Sequence, residues 1–181
     1  MLDENQKSTL MAAAREALND AVRGRPERIP STRDAELLRP RDVFVTLMRD
    51  DALRGCVGVP DARRPLIESV ARCAIAAGLE DARFEPVTES ELQSIKIEIS
   101  IPSPPRPIAA PHEVRIGLDG VIVDVGGRKG LLLPQVAVQQ GWNGDELVAA
   151  ACRKAGLSAA AWRQAGATML AFTAEVFREE R

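Results

Sequence analysis

The sequence predicts an α+β protein in which antiparallel sheets are covered by helices. Three observations carry this prediction. Residues 95–101 alternate apolar and polar side chains, with isoleucine at every second position, as a half-buried strand does. Apolar residues recur at helical spacing over 10–22 and 66–77. Short runs rich in β-branched side chains are separated by turn residues, which is typical of hairpins, and the two strands of a hairpin are antiparallel.

The first half of the chain reads as a helix, a hairpin, a second helix and a strand. Ser8 or Thr9 can cap the first helix. Residues 25–41 hold three prolines among charged side chains and lack a period, so they are predicted to be an irregular connection. Two apolar runs, 43–48 and 53–59, flank a polar turn and predict a hairpin.

The second half reads as a hairpin, three helices, of which the first and last are short, and a closing strand. Asp119 and Gly120 favour a type I′ turn between short strands on either side. The glycine-rich segment 126–130 lacks the ending of a phosphate loop and is read as a plain connection. Asn143 and Glu146 have the spacing of a capping box for a helix. The chain then closes with an alternating strand over 168–177.

A proline-rich segment is predicted to divide the chain into two α+β parts, 1–111 and 112–181. Residues 102–111 contain five prolines, which makes the segment too stiff and too poor in donors for a central strand. We interpret it as a crossing between the parts, and a discontinuous division stays open as the alternative.

The composition indicates which partners and which cellular compartment to expect. The net charge is -2, aromatic residues are 3% of the chain and tyrosine is absent, so nucleic acid is not an expected partner. No apolar run approaches the roughly 20 residues of a membrane span, and the polar start has no apolar signal region, so a cytoplasmic location without membrane association is expected. Three dispersed cysteines and a single histidine match no metal-ligand spacing, so reduced thiols, no metal and no cofactor are predicted.

The stretch Leu-Arg-Gly-Cys-Val-Gly, residues 53–58, is the candidate functional strand. Alternation places Arg54, Cys56 and Gly58 on one face, where the guanidinium would favour the thiolate form of Cys56. Glycine in a strand often marks close approach by a ligand, so Gly55 and Gly58 are candidate ligand-binding positions. The alternative is structural: a buried thiol, a solvent-facing arginine and a glycine bulge.

Three further residues complete the candidate site. Glu98 and Ser100 share the polar face of strand 95–101. If that strand neighbours the cysteine strand, Glu98 neutralises Arg54 or accepts a proton from a bound molecule. The alternative is a solvated sheet face. Arg83 lies in a loop where it either pairs with Asp81 or faces a ligand.

With these residues in place, the chain resembles the AMMECR-domain family, whose bacterial and archaeal members are often called AmmeMemoRadiSam system protein A. The resemblance rests on six blocks in register: 54–58, 81–84, 97–100, 130–137, 141–142 and 152–157. Val57 replaces the family's isoleucine, and 59–60, 81–83 and 85–86 depart from its usual forms. The resemblance implies one domain with a larger and a smaller part, motif residues near a cleft between them, and a Memo-like protein and a radical S-adenosylmethionine enzyme as partners. It supplies no reaction.

Two functions are consistent with these residues. One is a binding or adaptor module in which Arg54 and Arg83 hold a small anion or a segment of a partner protein. The other is an enzyme, or a component of an enzyme system, in which Cys56 is the nucleophile or group carrier, Arg54 stabilises the thiolate and Glu98 assists proton transfer. The first is favoured, because the sole histidine, His112, lies in the proline-rich crossing or at its end.

Overall fold

The structure is a computed structural model that describes residues 1–28, 30–59 and 63–179. It confirms the α+β class, with antiparallel strands and packed helices. Two compact units are present: Met1–Ile101 together with Glu175–Arg181, and Pro102–Ala174. This division differs from the one predicted after residue 111, because residues 106–108 pair with a strand of the second unit. The predicted cleft stays a prediction.

The first unit places two long helices over an antiparallel sheet. Strand order is β2-β1-β3, and the end of β7 lies beside β3. Buried leucine, isoleucine, valine and alanine side chains from α1, α3 and the three strands form its core. The elements are α1 Glu4–Val22, α2 Ala35–Leu38, β1 Val43–Arg49, β2 Ala52–Val59, α3 Leu66–Leu79 and β3 Ile95–Pro102.

Helix α1 begins earlier than the predicted cap. Asp3 is the N-cap residue: its carboxylate accepts from the Gln6 backbone N–H at 2.8 Å, and the Gln6 side chain accepts from the Asp3 N–H at 3.0 Å. Thr9 lies inside the helix and donates to the Asn5 carbonyl, so the proposed cap at Ser8 or Thr9 is wrong.

The predicted β1–β2 hairpin is confirmed. Its turn is formed by Asp50 and Asp51, which adopt φ of 50° and 60° as a type I′ turn requires. Beyond the turn the pairing shifts between Leu47 and Met48, so that one residue of β2 is extra. That bulge decides which β2 side chains face each way.

The second unit has the strand order β4-β7-β5-β6, with both helices packed on its own core. The predicted capping box at Asn143 and Glu146 is confirmed. Among the helices that the structure describes in either unit, none combines the length and apolarity needed to cross a bilayer. The elements are β4 Arg106–Ile108, β5 Asp119–Val125, β6 Arg128–Leu132, α4 Pro134–Gln140, α5 Gly144–Lys154 and β7 Thr168–Arg178.

The predicted turn at Asp119-Gly120 is wrong. Both residues lie in β5, and the hairpin turn falls at Gly126-Gly127, where φ is +60° and +82°. Asp119 is fully buried, and its carboxylate binds the guanidinium groups of Arg115 and Arg106. Tertiary ion pairing therefore overrides the turn propensity of Asp-Gly, and the glycine-rich segment supplies the turn instead.

Candidate functional site

Cys56 lies in a row of polar side chains that crosses the sheet of the first unit. It is directly opposite Thr46 on β1, and Thr46 is directly opposite Glu98 on β3. Opposite residues point to the same face of a sheet, so the three side chains share a face. The Thr46 hydroxyl donates to the Cys56 Sγ atom at 3.3 Å. Cys56 and Glu98 thus share the predicted face, but β1 separates their strands.

The backbone of Cys56 is held on its outer side by two side chains. β2 is an edge strand, and the Cys56 N–H and C=O point to its open side, away from β1. Asp81 Oδ2 accepts from the N–H at 2.9 Å, and Arg83 Nη2 donates to the carbonyl at 3.3 Å. The predicted Asp81–Arg83 pair is present at 2.6 Å. The Arg83 guanidinium, against the opposing effect of burial, holds the pKa of Asp81 well below its usual range. This clamp fixes the position of the thiol.

Arg54 is bound by an acidic loop. Its Nε and Nη2 donate to the Glu91 carboxylate at 2.9 and 3.2 Å, and its Nη1 donates to the Glu85 carbonyl at 2.9 Å. Among the described residues, Arg83 rather than Arg54 supplies the guanidinium that contacts Cys56. Arg54 thus ties the loop to β2, and its predicted role as the cation that stabilises the thiolate stays a prediction.

The ion pair between Arg54 and Glu91 depends on pH. Two hydrogen bonds lower the pKa of Glu91 from its usual value near 4.5 to about 2: the larger effect comes from the Arg54 side chain and the next from the Thr88 N–H. A carboxylate with a lowered pKa stabilises the fold above the unfolded-state value, and that contribution is lost as the pH falls toward 2.

We expect Arg54→Ala to lower the free energy of unfolding by about 1–2 kcal/mol at pH 7, because Glu91 loses its two-pronged partner at a site partly screened by water. The difference from the parent should shrink between pH 4.5 and pH 2.5, measured by urea unfolding. The control is Arg54→Ala made in a Glu91→Gln background, which keeps the shape without the charge, and there the cost of Arg54→Ala should change little over that interval. A deficit in Arg54→Ala that stays constant with pH would contradict this role.

Glu98 and Ser100 are buried on the same face. Glu98 is 5% exposed and Ser100 is fully buried, so the alternative of a solvated sheet face is wrong. The Glu98 carboxylate pairs with Arg178 Nε at 2.5 Å. Two strand spacings separate the Glu98 and Cys56 backbones by roughly 10 Å. The Glu98 carboxylate is engaged by Arg178, and its predicted assistance to proton transfer stays a prediction.

The two glycines of β2 serve packing. Gly55 faces α3, where an added Cβ would lie 2.0 Å from the Ala77 carbonyl oxygen. Gly58 faces the opposite way and lies under the Phe44 ring, 2.1 Å from an added Cβ. The space predicted for a ligand at each position is thus occupied by a backbone carbonyl and by an aromatic ring.

Gly58→Ala tests the contact with Phe44. The φ of Gly58 is outside the left-handed region, so only the ring opposes a methyl group. We expect a loss of about 1–3 kcal/mol in the free energy of unfolding. In a Phe44→Ala background the same substitution should cost at least about 1 kcal/mol less, which a double-mutant cycle of urea melts measures. Strictly additive losses would show that the ring is not the obstacle.

The three cysteines differ in exposure as predicted. Cys73 and Cys152 lie on buried helix faces, whereas Cys56 is half-buried. Reasoning from the sequence missed Thr46 as the partner of the Cys56 sulfur and Glu91 as the partner of Arg54. Thr46 is a polar residue within the apolar run of β1, and this could have marked it as a site residue. Its position opposite Cys56, however, depends on the bulge.

The fold and site define an α+β protein with helix-covered antiparallel sheets and a clamped cysteine on an edge strand. The AMMECR1 family profile matches residues 11–177. The chain belongs to the AMMECR1 family.

Archaeal relatives agree over nearly the whole chain. A protein of Thermococcus gammatolerans is 42% identical over 94% of this chain and 89% of its own length. One from Methanothermobacter thermautotrophicus is 37% identical over 99% and 97%. The crystal structure of uncharacterized protein PH0010 from Pyrococcus horikoshii superposes with a TM-score of 0.88 at 37% identity, covering 94% of this chain and 90% of that one.

Proposed function

We propose that this protein is a cytoplasmic binding or adaptor module that presents the Cys56 face of β2 to a partner, with a Memo-like protein and a radical S-adenosylmethionine enzyme as the partners to test. A small anionic ligand at Arg83 is part of the same proposal, since the Arg83 side chain is 58% exposed beside Cys56.

The observation that carries the proposal is the fixed position of a partly exposed thiol. The Cys56 N–H and C=O are bound by Asp81 and Arg83, and the neighbouring residues of β2 pair with β1. The sulfur accepts a hydrogen bond from Thr46, a residue that is itself 8% exposed. A group held this rigidly binds without losing much conformational entropy, as recognition sites require.

Binding is favoured over catalysis because, among the described residues, the hydrogen-bond partner of the Cys56 sulfur is the Thr46 hydroxyl rather than a general base. The only histidine of the sequence, His112, belongs to the other unit. Glu98 is paired with Arg178 and separated from Cys56 by a strand. The enzyme alternative has support in one contact: the Thr46 hydroxyl orients the Cys56 sulfur, the atom that would be the nucleophile.

Partial alkylation of the native protein tests the exposure on which both functions depend. We expect iodoacetamide to modify Cys56 before Cys73 and Cys152, because only Cys56 is partly exposed. Peptide mass spectrometry measures the order, and the urea-unfolded protein is the control in which the three should react alike. Earlier modification of either helix cysteine in the native protein would contradict the proposal.

The two functions separate when alkylation and partner binding are measured together. For a binding module, we expect Cys56→Ser, which keeps the size of the side chain, to retain most of its affinity for a purified Memo-like protein or radical S-adenosylmethionine enzyme. Alkylated parent protein should lose that affinity, because the added group obstructs the face. An alkylation rate that is already high well below pH 8, with no binding of either protein, would favour the enzyme instead.

A further inference from the structure

Three exposed aliphatic side chains lie together on the second unit, whereas the residues of the candidate site belong to the first. Ile116, Leu118 and Val138 are 42%, 59% and 61% exposed. Ile116 and Leu118 flank Gly117, and a Cβ built at Gly117 would lie 3.4 Å from a Val138 methyl group. Helix α4 and the loop before β5 therefore meet in one apolar surface, which we call the 116–138 patch.

The loop that carries the patch is held in place. The Leu118 and Asp119 N–H groups both donate to the Arg115 carbonyl, at 3.0 and 2.8 Å. The fully buried Asp119 carboxylate accepts from the Arg115 side chain at 2.8 and 2.9 Å and from Arg106 at 2.9 Å. A surface fixed in this way requires little ordering when a partner binds.

Positive charge borders the patch. One carboxylate, Asp119, is shared by two guanidinium groups whose side chains are 45% and 56% exposed. Asp119 occupies Nη2 of Arg106 and Nε and Nη2 of Arg115. Within the described part of the chain, the Nη1 groups of both have no hydrogen-bond partner. The second unit, 102–174, has seven Lys and Arg residues against five Asp and Glu residues, a net +2 within a chain of net -2.

We propose that the 116–138 patch, with the guanidinium groups of Arg106 and Arg115, docks a short acidic amphipathic segment of a partner protein. The segment's apolar side chains would cover Ile116, Leu118 and Val138. Its carboxylates would accept hydrogen bonds from the two arginines. Arginine forms charge-assisted, two-pronged contacts with carboxylates. Anchors at i, i+3 and i+7 of a helix in such a segment match a small apolar surface.

The small area of the patch and the charge beside it favour an acidic segment over a second copy of the chain and over an anionic lipid surface. Three partly exposed aliphatic side chains offer at most a few hundred Å², within the range of ordinary functional patches on monomers and below the roughly 800 Å² per partner of a standard protein interface. A second copy of the chain would need more surface. Recognition of anionic lipid uses clusters of about four to eight basic residues, whereas two arginines border this patch.

NMR titration of the ¹⁵N-labelled full chain tests the proposal with defined peptides. One 16-residue peptide carries leucines on one helical face and glutamates on the other. A second replaces each glutamate by lysine, and a third replaces each leucine by serine. We expect the first to bind at least about tenfold more tightly than the others and to shift the resonances of 115–118 and 136–140. The double variant Leu118→Ser/Val138→Ser should weaken that binding about tenfold or more.

Leu38→Ser, at a 44% exposed leucine of the first unit, is the matched control and should bind as the parent does. Preference for the lysine peptide, shifts confined to other residues, or unchanged binding by the double variant would overturn the proposal. So would sedimentation showing a dimer that the double variant abolishes, since the occupant is then a second copy. Stronger binding to vesicles of anionic phospholipid than to the glutamate peptide would assign the patch to a membrane surface and overturn it as well.

Discussion

Gly55→Ala is expected to cost about 3 kcal/mol or more in the free energy of unfolding, because its methyl group would lie 2.0 Å from the carbonyl oxygen of Ala77. The obstacle is helix backbone, so no side-chain rotation relieves it. Either α3 moves away from β2 or the strand bends, and both changes open the core of the first unit. For a chain of this size the expected loss corresponds to a fall of roughly 6–12 °C in Tm.

Thermal and urea unfolding measure this effect. Ala52→Ser is the matched control, since Ala52 is an exposed residue at the start of the same strand and its change should stay within about 0.5 kcal/mol. A Gly55→Ala protein as stable as the parent would show that α3 is not packed on the strand at this distance.

Asp119→Ala is the second substitution with a large expected effect. The fully buried carboxylate holds Arg106, Arg115 and the Arg115 N–H, and the Arg115 side chain lowers the pKa of Asp119 to about 2. Removing it leaves two positive groups without their shared partner and releases the loop before β5. The arginines are half exposed and regain water, so we expect a loss of about 2–4 kcal/mol rather than the larger cost of a wholly buried pair.

The control for Asp119→Ala is Glu36→Ala, which removes a carboxylate from an exposed pair with Arg39. That pair should contribute less than about 1 kcal/mol. Equal losses in the two variants, measured by urea unfolding at pH 7, would mean that burial adds nothing to the Asp119 interactions. Because the lowered pKa stabilises the fold above the unfolded-state value, the Asp119 contribution should also disappear as the pH falls toward 2.

Much of the fold follows from local patterns along the chain. The isoleucines of β3, the apolar face of α3 and the capping box of α5 report burial and helix ends directly, and the structure confirms all three. The predictions that fail are those where a competing local signal was present. Asp3 and Gln6 cap α1 ahead of Thr9, and buried ion pairs at Asp119 remove the turn expected there.

The candidate site was less accessible to sequence reasoning, because it depends on register. Extending the pairing from the Asp50–Asp51 turn without a bulge would place Thr46 opposite Gly55. The shift beside Leu47 places Thr46 opposite Cys56 instead, and no residue pattern in the sequence predicts that shift. Arg54 presents the same difficulty: its carboxylate partner, Glu91, lies 37 positions further along the chain. The predicted alternation holds from Gly55 to Gly58, but it breaks at the bulge, which places Leu53 opposite Met48 rather than on the face of Gly55. The partners of the β2 side chains were not identifiable from the sequence.

The clamp on Cys56 also covers part of an open sheet edge. An edge strand with open N–H and C=O groups is a template on which another chain can add a strand, and such pairing leads to aggregates. At the middle of β2, Asp81 and Arg83 occupy those groups with side chains, much as a neighbouring strand would do with its backbone. Loop 81–83 thus covers the edge of β2 at Cys56, where a strand of another chain would otherwise pair. A relative that lost the Asp–Arg pair would need another way to close this edge, such as a proline or a charge that faces outward.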